Sequence, residues 1–173
     1  MKKSNRKGFT LVELVVVIAI IGILAAILVP TMMNYVKKSK LKTANSNAKL
    51  VFTTVNNEAA DMLVNGEAVG TGASQGTAVE IKSLKNPAPA SGTDGRDAKA
   101  KLGNAVYEAL KDNGDGAGCC VYSVGSTGNV EFAQWCDVKA VSGTKGVLGQ
   151  YPDPCKDADK ANKSFTASKI TNW

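Results

Sequence analysis

The stretch Phe9 to Val29, FTLVELVVVIAIIGILAAILV, is 21 residues long and carries a single charge, Glu13. As a helix it would be about 32 Å long, enough to cross the hydrocarbon core of a bilayer. No small domain can bury such a segment all round, so it must meet lipid or other copies of itself. It follows MKKSNRKG, which has Lys2, Lys3, Arg6 and Lys7 and no acid. A basic start before an apolar run inserts with the basic end in the cytoplasm. The rest of the chain is ordinary enough, at 21% charged and 44% hydrophobic residues, to exclude full disorder and a polytopic membrane protein.

Four fates of this segment compete. An ordinary secretory signal would be cut after the run, near Ala25 and Ala26, but such signals are usually shorter and free of acids. A lipoprotein is excluded, because no cysteine precedes Cys119. A plain anchor fits the length but leaves Glu13 without a purpose. The fourth fate is cleavage before the run, which keeps it. The residues Gly8-Phe9-Thr10-Leu11-Val12-Glu13, after a short basic leader and before an unbroken apolar run, favour that fate. This arrangement resembles the class III signal of type IV pilins and pseudopilins. The resemblance covers about residues 1–35 closely, and nothing beyond about residue 65 carries it.

The resemblance implies a role for several positions. Gly8 would precede the scissile bond, cut by a prepilin peptidase on the cytoplasmic side. Phe9 would become the N-terminus and be N-methylated. Glu13 would lie close to the Phe9 amine of a neighbouring subunit. Gly22 and Pro30 would bracket a helical segment that loosens during assembly. The implied partners are copies of the same chain in a helical filament, the peptidase, an assembly platform in the cytoplasmic membrane, and that membrane before assembly. The implied final location is a pilus on the cell surface.

The physical chemistry of these positions agrees. An acid inside an apolar run costs about 2.5 to 3.5 kcal/mol on insertion scales, so it calls for a cationic partner, a neutral state, or a way out to the membrane edge. An ammonium from another subunit is such a partner and would fix the axial register. Pro30 removes a helix hydrogen bond, which costs about 3 kcal/mol, and Gly22 weakens the helix by about 1 kcal/mol relative to Ala.

Beyond Pro30 the helical pattern continues. Leu41, Ala44, Ala48, Val51, Val55, Ala59 and Met62 recur every three or four residues, which is one apolar face. Asn65-Gly66 is a natural stop. The expected organisation is a leader over 1–8 and a long helix over 9–64. In that helix 9–29 would span the membrane or form the filament core, and 30–64 would be the stem. A head over 65–173 completes the chain.

The head reads as β-rich. Ala78–Leu84 is a possible short strand, and Asp97–Lys111 a second helix capped by Asp97 and stopped by Asn113-Gly114. CCVYSV, GSTGN and VEFAQWCDV read as strand, turn and strand. Ser164–Ile170 reads as a last strand. The expected fold class is α+β: a pilin-like ladle, its long helix packed by the distal half on a small antiparallel sheet.

Four cysteines, Cys119, Cys120, Cys136 and Cys155, suit two disulfides in an exported head. Adjacent cysteines bond poorly. That leaves 119–136 with 120–155, or 120–136 with 119–155, according to whether the hairpin loop has four residues or three. The CxxC pairs usual in zinc sites are missing. The chain has no histidine, which removes imidazole-based hydrolysis, and no phosphate loop or dinucleotide fingerprint is present. Neither an enzyme activity nor a cofactor or metal is expected. Asp112–Gly116 lacks the ligand spacing of an EF-hand, and the acids around Cys155 offer weak calcium ligands at best.

The net charge of +6 invites nucleic acid as a partner, but its distribution does not. The leader holds four of those charges, and Lys37, Lys38, Lys40, Lys42 and Lys49 form a collar. From Leu50 onward 12 basic residues face 14 acidic ones. Nucleic acid is therefore not expected. The expected function is a structural subunit of a type IV pilus, for adhesion or motility. Alternatives are a type II secretion pseudopilin, a competence pilin, or a single-pass anchored binding protein that does not polymerise.

Overall fold

The computed structural model describes residues 8–70, 74–85, 95–112, 118–138, 146–166 and 168–173. The chain forms two compact units, Met1–Lys37 and Lys38–Trp173. The leader before Gly8 lies outside the described residues, as does Asn113-Gly114; the side chain of Asp97 does too.

In the first unit the backbone enters helix α1 (Leu11–Val64). Every described residue of this unit is exposed, and large side chains such as Ile23 and Ile27 are about two-thirds exposed, at 66% and 67%. Among the described residues, α1 is the helix long and apolar enough to cross a membrane. It passes through Gly22 and Pro30 without interruption. The Thr31 hydroxyl just beyond donates to the Leu28 carbonyl at 2.8 Å, which satisfies a polar group on an otherwise apolar surface.

In the second unit α1 buries Leu41, Ala44, Ala48, Val51, Val55, Ala59 and Met62. These are the same seven residues that the spacing selects. The helix ends on paired backbone bonds, Gly66 N–H to Leu63 O at 3.1 Å and Glu67 N–H to Met62 O at 2.9 Å. Gly66 has φ 74°, the left-handed turn that glycine adopts without steric cost.

The head contains β1 (Gln75–Glu80), a 3-10 turn (Ile81–Leu84), α2 (Gly95–Leu110), β2 (Cys119–Val124), β3 (Val130–Cys136), β4 (Gly146–Tyr151) and β5 (Asn162–Lys163). The strands pair in chain order, each antiparallel to the next. This is the α+β architecture expected, with five local corrections. Helix α2 starts at Gly95, so Asp97 lies inside the helix rather than at its cap. The first strand ends at Glu80, and Ile81 and Leu84 lie on the 3-10 turn, buried in the core that also holds Leu102 and Val106 of α2. The second long strand ends at Cys136 rather than Val138. β4 occupies a stretch for which the sequence pattern offers no strand, because Gly146 and Gly149 disguise it. The described residues 164–166 and 168–170 do not form the expected strand: the Thr166 and Ile170 N–H groups meet the side chains of Gln134 and Gln150 instead of a neighbouring strand.

One sheet face packs on α1. Cys120, Tyr122, Ala133 and Trp135 join Ala44, Ala48, Val51 and Val55 in a single core. The other face is polar at its centre. Gln134 and Gln150 are fully buried and stand opposite each other on β3 and β4. Gln134 Nε2 donates to Gln150 Oε1 at 3.0 Å and to Thr166 Oγ1 at 3.0 Å. Gln150 Oε1 accepts from Ile170 N–H at 2.8 Å, and its Nε2 donates to the Ile170 carbonyl at 2.8 Å. The C-terminal segment thus covers this face through side-chain pegs.

Candidate functional site

The residues expected to matter most lie at the start of α1. Gly8, Phe9 and Thr10 precede the helix, and Phe9 is 92% exposed. Thr10 is the cap. Its backbone N–H donates to Glu13 Oε2 at 2.8 Å and its hydroxyl to the same oxygen at 2.7 Å. In return the Glu13 N–H donates to Thr10 Oγ1 at 3.3 Å. This is a capping box, which satisfies donors that every helix start leaves open.

Thr10 is a functional residue beyond those expected from the leader motif, and Thr-x-x-Glu before an apolar run is its signature. The box gives Glu13 a local role inside one subunit. A carboxylate there also suits the positive end of the helix dipole. Among the described residues, the hydrogen bonds that reach this carboxylate end on Oε2. Gly22 meets nothing within 4 Å of where a Cβ would stand. Its helical position carries no packing demand for glycine in the single subunit.

The cysteines lie in the head and are all buried thiols; no disulfide joins them in the structure. Cys119 stands opposite Cys136, and Cys120 opposite Trp135. Burial pushes the Cys120 thiol up to about 12 and the Cys136 thiol up to about 11. Cys155 is also raised by burial; it packs with Leu41 and Ala161 in a separate small cluster. Thiols held this far above neutral are poor nucleophiles.

Two lysines of the collar are engaged by the head. Lys40 pairs with Asp137 at 3.7 Å, and Lys49 Nζ stands 5.7 Å from the centre of the Tyr151 ring. Among the described residues no group of three or more potential metal ligands comes together.

Residues 3–29 match the family model of the prokaryotic N-terminal methylation motif. The type IV major fimbrial protein FimA of Dichelobacter nodosus is 35% identical over 156 residues, covering 86% of this chain and 82% of that protein. The type IV major pilin protein PilA of Myxococcus xanthus is 49% identical over 49 residues, 28% of this chain and 22% of that protein. Fimbrial protein EcpC of Eikenella corrodens is 57% identical over 44 residues, 25% of this chain and 29% of that protein. No solved structure matches the chain.

Proposed function

The chain belongs to the type IV pilin family, and from that premise we propose how it becomes a filament. It is a structural pilus subunit, held in the membrane as a precursor and then displayed on the cell surface. Its relatives are structural pilins rather than enzymes, and we assign it no catalytic role.

The finer steps are our reading. A prepilin peptidase cuts between Gly8 and Phe9, and Phe9 is N-methylated. The segment over 9–29 holds the subunit in the bilayer until an assembly platform in the membrane draws it out. The Phe9 amine then meets Glu13 of a neighbour, and apolar segments exchange lipid for one another. Gly22 and Pro30 give the helix its weak stretch for this transition. The contact is heterologous, so assembly of copies continues along an axis. Residues 65–173 form the outer surface that adheres or bears traction.

The observation that carries this reading is the exposed apolar start of α1, which has one acid in its first turn. A capped Glu13 without a partner in the bilayer is costly, whereas a neighbour's ammonium offsets that cost. The mass of the subunit sheared from cells tests it. Expected is a chain beginning at N-methylated Phe9. A chain beginning at Met1, or cut near Ala26, would overturn the reading.

A further inference from the structure

The hairpin register bears on a bond that the sequence left open. Cys119 begins β2 and Cys136 ends β3, and the two are direct partners across the strands. Directly opposed residues project from the same face of a sheet, with Cα atoms about 4.5 to 5.5 Å apart. That lies inside the range a disulfide spans. Both residues are buried. Cys120 faces the other way: it is opposed to Trp135 and packs in the core with Ala44 and Tyr122. To reach Cys136 it would need a slip of one residue, which would turn either Tyr122 of β2 or Trp135 of β3 out of that core. Cys155 sits apart with Leu41 and Ala161, its thiol donating to the Asp157 carbonyl at 3.1 Å.

We propose that in the exported protein Cys119 and Cys136 are joined by a disulfide across the open end of the β2–β3 hairpin. The closed end is already held by the turn, where Gly125 N–H donates to Asn129 O at 2.8 Å. The bond clasps the other end, so strands under tension cannot unzip from it. Two thiols lose two protons and two electrons. The electrons pass to the disulfide of an exported thiol–disulfide oxidoreductase, which becomes a dithiol. Burial of both thiols makes the exchange slow in a finished head, so the bond forms while the hairpin folds.

This inference rests on the surface placement of the head, and one sample tests both. Filaments sheared from cells are denatured without reductant, alkylated with a light reagent, reduced, and alkylated with a heavy one. Fragmentation of the digested peptides then places each label, separating Cys119 from Cys120. Heavy label on both Cys119 and Cys136 is expected, with a 119–136 cross-link in the unreduced digest. Cys119→Ser should leave Cys136 light, and Cys136→Ser should leave Cys119 light, while Cys120→Ser leaves the cross-link intact. Light label on Cys119 or Cys136 in the unsubstituted protein, or a bond from either to Cys120 or Cys155, would overturn the proposal. The N-terminal peptide of the same digest reports on the pilin reading independently.

Discussion

Gly149 of β4 lies directly beneath Ala44 of α1. A Cβ on Gly149 would stand 2.1 Å from both the carbonyl carbon and the carbonyl oxygen of Ala44. The obstacle is backbone, so no side-chain rotation relieves it. Gly149→Ala should therefore push sheet and helix apart and destabilise the head by about 3 kcal/mol. Gly103→Ala in α2 is the contrast. Its nearest obstacle is the Cδ2 methyl of Leu84 at 3.2 Å, which can yield, and alanine favours the helix. That substitution should fall within about 1 kcal/mol of neutral. Urea unfolding of the detergent-solubilised chain measures both.

The same glycine shows why the sheet was harder to read than the helix. The stripe from Leu41 to Met62 repeats with the helix period, so local pattern alone identifies its buried face. The hairpin over 119–136 is bracketed by turn residues and reads equally well. β4 depends on a contact 105 residues away in sequence, between Gly149 and Ala44, and nothing local reports it. The cysteine pairing was hidden by an irregularity. The register shifts between Ser123 and Val124, leaving Glu131 as an extra residue on β3. Such a bulge has no clear signature in GSTGNVE. Thr10 is legible as part of a capping box, since Thr-x-x-Glu stands directly before an apolar run.

Gln150 anchors the C-terminal segment. It also donates to the carbonyls of Pro152 and Asp153, at 3.2 and 3.3 Å. Gln150→Leu keeps the bulk but strands the Ile170 N–H and the part-buried carbonyls of Pro152, Asp153 and Ile170. The loss should be roughly 3 kcal/mol. Amide hydrogen exchange at Ile170 should then accelerate about 100-fold if the segment lifts locally.

Stability should fall in alkali. Cys120 is raised by burial from 9.0 to about 12, Cys136 from 9.0 to about 11, and Tyr122 is raised by burial as well. The folded head keeps protons that the unfolded chain releases, so unfolding free energy decreases with pH in this window. The contribution of the thiols is complete below pH 9 and is lost progressively as pH rises toward 12. A 119–136 disulfide would remove the share of Cys136. Among the described residues nothing hydrogen-bonds to the buried Tyr122 hydroxyl. Tyr122→Phe should therefore raise stability by about 1 kcal/mol and flatten the alkaline slope. Unfolding curves collected from pH 7 to 11 check both statements.

The capping box makes a prediction about one turn of helix. Thr10→Val removes the hydroxyl that binds Glu13, at a cost of about 1 kcal/mol. Amide exchange at Glu13 and Leu14 in detergent micelles should speed up about fivefold. Thr10→Ser, an equally good cap, should restore the unsubstituted rates.

Glu13 is the centre of the proposed assembly, and Glu13→Gln tests it most directly. The amide keeps the size of the side chain and an oxygen to accept the bonds from Thr10, but cannot balance an ammonium. Cells carrying this variant are examined for surface filaments by electron microscopy, and the mass of the subunit in the membrane fraction is measured alongside. Expected is a subunit cut between Gly8 and Phe9 that accumulates in the membrane, with filaments reduced at least tenfold. Abundant filaments built from correctly cut Glu13→Gln subunits would contradict the pairing of the Phe9 amine with Glu13.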